Sequence, residues 1–115
     1  MVLLLLSVAV LQLPGQQTET GRKPFEEIKA KAEAGDPNYE SQLGIRYAFG
    51  KGVAKDEVEA YKWFLLAAAQ GDEDAKTNMA IAERRLTREQ IAEGLKQARN
   101  FKPHAVPSVG DERAP

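Results

Sequence analysis

The sequence predicts an all-α fold of about five helices, and three observations carry that expectation. No proline stands between Asn38 and Lys102, so nothing in that window removes a helical hydrogen bond. Apolar residues recur there at helical rather than alternating spacing, as in Tyr39, Leu43 and Tyr47 or Ala75, Met79, Ala82 and Leu86. Capping residues and glycines punctuate the stripes where helices would start and stop. No segment reads convincingly as a strand.

The elements follow in order. Pro24 sits at an expected first-turn position, and Phe25, Ile28 and Ala32 follow on one face. Gly35 ends that helix in the left-handed conformation glycine tolerates. Asp36 then caps a second helix with Pro37 at its first position. A glycine-rich loop, Gly50-Lys51-Gly52-Val53, precedes a third helix capped by Asp56, with Glu59 placed as its capping-box partner. That helix runs to about Gln70 and is the most apolar stretch after the amino terminus. Ala60, Phe64, Ala67 and Ala68 form one face, while Trp63, Leu65 and Leu66 widen it nearly all round. A helix apolar on most sides must lie between neighbours. Gly71 ends it and Asp72 caps the fourth. Thr87 and Gln90 form a capping box for the fifth, Leu86 and Ile91 stand as a hydrophobic staple, and Ile91, Leu95 and Ala98 continue the stripe.

Outside these helices the chain changes character. Residues 1–15 hold a nearly pure apolar run, Val2 to Leu13, stopped by Pro14-Gly15. It is too short for a membrane span, which needs roughly 20 residues, and it has the length of a secretory signal core. No Lys or Arg precedes it and no good small-x-small cleavage site follows. Three readings stay open: an export signal, giving a secreted, periplasmic or envelope protein; a hydrophobic helix packed on the domain of a cytoplasmic protein; or an artefact of where the gene is taken to start. Residues 16–23 read as a polar linker. Residues 102–115 carry three of the six prolines and read as a disordered tail.

Composition excludes several chemistries. The chain has no cysteine and one histidine, His104, in the proline-flanked tail, so thiolate or histidine metal clusters and cysteine nucleophiles are not expected. A formal net charge of −1 gives no overall basic field for nucleic acid. No cofactor or metal is expected.

Sliding the chain on itself by about 36 residues aligns Gly35-Asp36 with Gly71-Asp72, Leu43 with Met79, Gly44 with Ala80, Ile45 with Ile81 and Ala32 with Ala68, a period that suits a helix–turn–helix repeat. Within the first unit, Leu43-Gly44 is followed by Tyr47, then Gly50-x-Gly52-Val53, Asp56, Ala60, Trp63, Ala67-Ala68 and Gly71. This stretch, from Ala32 to Ala75, resembles a Sel1-like repeat, a relative of the tetratricopeptide repeat. The resemblance implies a short right-handed α-solenoid of antiparallel helix hairpins over residues 24–101: a half unit 24–35, a full unit 36–71 and a degenerate capping unit 72–101. In that fold Gly44 lets the paired helix approach, Tyr47 fills the space beside it, and Ala60, Ala67 and Ala68 keep the next helix thin. Tyr39 departs from the family, which usually has alanine there. The second unit departs further, with Ala80 for the glycine, Glu83 for the tyrosine and no glycine loop, as suits a polar terminal cap.

The resemblance also implies a concave binding face made by the first helix of each unit. Carried over position by position, that face holds Asn38, Ser41, Ile45, Ala48 and Phe49, and from the second unit Asp74, Thr77, Ile81, Arg84 and Arg85. The expected function is a non-catalytic adaptor that holds another protein or peptide. The alternatives are a structural module that stacks on copies of itself, which the short array and its segregated charges would suit, and peptidoglycan-type or β-lactam binding or hydrolysis. The last lacks support from the residues, because Ser41 has no evident base partner. Acids gather between Asp56 and Asp74 and bases between Arg84 and Lys102. That pattern fits either a basic end for an acidic partner or plain dipole compensation at helix ends.

Overall fold

The computed structural model describes residues 14–104, and the apolar run and the last part of the tail lie outside them. The described residues form five helices and no strand: α1 Pro14–Glu33, α2 Pro37–Phe49, α3 Glu57–Ala69, α4 Glu73–Arg85 and α5 Arg88–Asn100. Local chemistry sets most of their ends. Asp36 accepts from the backbone N–H groups of Asn38 and Tyr39 at 3.0 and 3.4 Å. Asp72 accepts from Ala75 N–H at 2.8 Å, and Thr87 and Gln90 exchange both bonds of the expected capping box at 2.9 and 3.1 Å. Gly50 ends α2 with φ +68°, a conformation costly for residues with a Cβ.

Three expectations need correction. The segment read as a linker, 16–23, is helical, and Pro24 lies inside α1 instead of opening it. A proline inside a helix forfeits one backbone bond but its φ is already helical, and Pro24 is exposed. Glu59 does not return to the α3 cap. Its carboxylate takes the Trp63 indole N–H at 3.2 Å and pairs with Lys62 at 3.2 Å, while Asp56 alone accepts from Val58 and Glu59 N–H. The tail is ordered beyond its expected start: Phe101 stacks edge-on against Trp63 with centroids 5.2 Å apart, and His104 N–H donates to Glu33 C=O at 2.6 Å. An aromatic residue immediately after α5 supplies enough apolar surface to hold the chain down where periodicity has already ended.

α3 is the central element, as its all-round apolarity requires. It packs against α2, α4 and α5, and α1 packs against α2. Phe25, Ile28 and Ala32 of α1, Leu43 of α2 and Trp63 of α3 form the main core cluster. Tyr47 fills its edge, T-shaped against Phe25 at 5.6 Å. Tyr39, where the family usually has alanine, packs on the same cluster and carries the Lys31 ammonium 4.8 Å from its ring centroid. The larger side chain thus uses α1 as its support.

Two glycines set helix spacing. A Cβ built on Gly44 would lie 2.5 Å from Phe64 Cε1 and 2.7 Å from its Cδ1, so α2 and α3 touch through a ring lying on bare backbone. Gly94 does the same for α5, where a Cβ would lie 2.5 Å from Tyr61 Cδ2. The fifth-helix stripe is therefore rotated from the expected one: Gly94 is buried, and Leu95 remains 37% exposed. Tyr61 itself is 1% exposed, and its hydroxyl donates to Glu83 of α4 at 2.7 Å. Glu83 stands where the resemblance leads one to expect a tyrosine, and it accepts this bond. Gly44→Ala is expected to lower the unfolding free energy by about 1–2 kcal/mol, overpacking against Phe64 outweighing alanine's helix preference. A urea melt reads it directly, and a variant as stable as the parent would mean that the ring yields freely.

Candidate functional site

The helices leave one apolar groove of about 140 Å³ between the C-terminal halves of α2 and α4 and the first turns of α3. Ile45, Ala48 and Phe49 come from α2, Glu57, Ala60 and Phe64 from α3, and Asn78, Ile81, Ala82 and Arg85 from α4. The spacing explains the grouping. Ile45, Ala48 and Phe49 stand at i, i+3, i+4, and Asn78, Ile81, Ala82 and Arg85 at i, i+3, i+4, i+7, so each set shares one helix face. Alanine at three of these positions creates the room, because their neighbours cannot close over it.

The apolar surface there is unusually open. Phe49 is 70% exposed and Ile81 48% exposed, and both line the groove. At one lip the Lys51 ammonium stands 5.8 Å from the Phe49 ring centroid. At the other, Arg85 Nε pairs with Glu57 Oε1 at 3.0 Å, with both side chains more than a third exposed. Such a pair orients the guanidinium and adds only about 0–1 kcal/mol.

Of the ten residues expected on the binding face, the groove gathers Ile45, Ala48, Phe49, Ile81 and Arg85. Asn38, Asp74, Thr77 and Arg84 are exposed but lie outside its lining. Ser41 is a correction: it is 5% exposed and cannot meet a partner. It follows the buried Glu40 and precedes Gly44 by one turn, on the side of α2 that packs on α3. Glu57, Asn78 and Ala82 were not expected. Asn78 and Ala82 could have been found by extending the i, i+3, i+4 pattern from Ile81. Glu57 could not, because only the packing of α3 on α4 brings it to Arg85.

The repeat-signature residues divide between the interior and the turns. Leu43, Gly44, Ala60, Trp63 and Ala67 are buried, Tyr47, Val53 and Ala68 are half-buried, and Gly50, Gly52 and Gly71 have φ of +68°, +79° and +98°. Behind them lies a carboxyl group that no local pattern places inside. Glu40 is 1% exposed, and its Oε1 accepts from Gln70 Nε2 at 2.8 Å, the same amide reaching Gly35 C=O at 3.2 Å. Burial pushes the Glu40 carboxyl up from 4.5 to about 7, against the lowering effect of the Gln70 bond and with a smaller push from Asp36. Because the folded value lies above the unfolded one, the folded state holds the proton more tightly. The associated stability is complete below about pH 4.5 and is lost as pH rises through 7. Glu40→Gln is expected to remove that slope and to be more stable than the parent at pH 8 by on the order of 2 kcal/mol. Urea melts at pH 5 and pH 8 test this, and parallel pH profiles for both proteins would refute it.

Among the described residues no group of three His, Asp or Glu side chains is placed to hold a metal ion, and no helix is long and apolar enough to cross a membrane. No solved structure matches the chain. Residues 38–72 match the family model of the Sel1 repeat, somewhat under a third of the chain. The match begins one residue into α2 and ends at Asp72, the cap of α4, so it covers the α2–α3 hairpin whose contact is made by Gly44 on Phe64. The chain therefore carries a Sel1-like repeat over that hairpin, set among further helices.

Proposed function

We propose that this protein is a non-catalytic adaptor that holds a segment of another protein in the groove between α2 and α4. Sel1 repeats are in general protein-interaction modules. The observation that carries the assignment to this groove is the joint exposure of Phe49 and Ile81 around a floor of small apolar side chains. Large apolar groups left in water at one concave place mark recognition surfaces more often than scattered ones do. The apolar run from Val2 to Leu13 supports export as the setting, with partners in the envelope or outside the cell.

The test compares columns carrying the parent protein, Phe49→Ala and Ile81→Asp, each checked for unchanged helical signal. Proteins retained by the parent and lost from both variants are the expected result. Identical retention on all three columns would remove the groove from consideration. Mass spectrometry of the mature amino terminus decides the export reading, which an intact Met1 on secreted-fraction protein would contradict.

A further inference from the structure

Resting on the groove reading above, we infer that the occupant is a peptide segment with one large apolar side chain flanked by carboxylates. The size argument comes from the groove, whose volume of about 140 Å³ matches an apolar cavity that admits a single benzene-sized ring. One phenylalanine or leucine side chain therefore fits between Phe49, Ile81 and Ala82, and two do not.

The charge argument comes from the rim. Lys51 stands against the Phe49 ring, and Lys55 lines the shallow depression that shares Glu57 with the groove. Arg84 follows Ile81 by one helical turn, and Arg88 follows Arg85 by three residues, on opposite sides of the short α4–α5 connection. All four are exposed, and among the described residues no carboxylate lies within 4.0 Å of any of them. The acids that line the groove and this depression are already engaged. Glu57 pairs with Arg85 at 3.0 Å, and Asp56 accepts from Val58 and Glu59 N–H at 3.1 and 3.0 Å as the cap of α3. Cations without partners around an apolar opening, with their neighbouring anions committed, favour an incoming segment that brings its own carboxylates. A basic segment would meet like charge from Lys51, Lys55, Arg84 and Arg88, with Glu57 and Asp56 already holding partners of their own.

Fluorescence anisotropy with labelled heptapeptides tests this. The probes are Asp-Glu-Asp-Phe-Asp-Glu-Asp, the same peptide with alanine at its centre, and versions flanked by serine or by lysine. The acidic phenylalanine peptide is expected to bind about tenfold or more tightly than the lysine-flanked one, and to weaken as salt rises past about 0.1 M, where charges more than about 10 Å apart are screened. Central alanine should cost at least about tenfold, the loss of one buried ring. On the protein side, Lys51→Glu combined with Arg84→Glu should lose most of the preference for acidic flanks, and Ile81→Asp should lose binding altogether. Circular dichroism confirms that these surface variants stay folded.

Equal binding of serine-, lysine- and acid-flanked peptides, all lost in Ile81→Asp, would overturn the acidic class while leaving the groove as a peptide site. Acidic binding that survives Ile81→Asp would overturn the placement in this groove. Absence of binding by every phenylalanine peptide would overturn both readings.

Discussion

Replacing Trp63 with alanine is expected to lower the unfolding free energy by about 3–5 kcal/mol, the range for deleting a large aromatic side chain from a core. The reasons are specific to its surroundings. The indole is 2% exposed and lies among Phe25, Ile28, Ala32 and Leu43, so it joins α1, α2 and α3 at one point. Its removal also strips Phe101 of its edge-on partner and leaves the Glu59 carboxylate without the indole N–H. A domain of this size is held by no more than about 5–15 kcal/mol, so the variant should be partly unfolded at body temperature. Trp63→Phe keeps most of the apolar area and should lose only about 1–2 kcal/mol, chiefly the indole bond and some volume. Urea melts followed by far-ultraviolet circular dichroism measure both. A loss below 1 kcal/mol for the alanine variant would show that the three helices are not joined through this residue.

Ending the chain after Asn100 should have the second largest effect, about 2–3 kcal/mol. That figure sums a half-buried phenylalanine, its aromatic pairing and one backbone hydrogen bond. The four residues from Phe101 to His104 connect the last helix to the first hairpin. Phe101 covers Trp63, Pro103 lies 3.3 Å from where a Cβ on Gly35 would stand, and His104 N–H reaches Glu33 C=O at 2.6 Å. Without them the outer edge of Trp63 meets water. The chain has a single tryptophan, so its emission reports on the surroundings of Trp63 and should shift to longer wavelength. Phe101→Ala should reproduce most of the shift and of the stability loss. Unchanged emission in both variants would show that the segment does not cover the indole in solution.

The two variants also separate two sources of stability. Trp63 belongs to the recognised repeat, whereas Phe101 lies well beyond it. A short array exposes apolar surface at its ends, and arrays of this kind usually need about three units to bury enough of it. Here the chain following α5 returns to the first hairpin and covers Trp63. This offers a physical reason why a segment with no helical periodicity is nonetheless held in place.

Local rules made the five helices legible in the sequence. Asp36-Pro37, Asp72 and Thr87-Gln90 specify starts through bonds that span three residues or fewer, and Gly35, Gly50 and Gly71 specify stops through a backbone conformation other residues resist. The burial of Leu43, Ala60, Trp63 and Ala67 was equally legible, since helical spacing places them on shared faces. Helical spacing likewise brings five of the ten residues expected on a binding face to one groove, while Ser41 is buried and the other four lie outside its lining.

What tertiary structure alone decided are the relations between residues far apart in the chain. Gly94 reads as a poor helix residue until Tyr61 is found lying on it, and Glu83 as a departure from the repeat until it accepts the Tyr61 hydroxyl proton. Glu40 reads as an ordinary surface acid until Gln70, thirty residues away, closes over it. The pairing of Glu57 with Arg85, which shapes one lip of the groove, and the return of Phe101 to Trp63 are of the same kind. Capping and periodicity are set by neighbours within one or two turns, so the sequence displays them. Which faces meet depends on how helices cross and how much room glycine and alanine leave between them, and that is settled only when the whole chain packs.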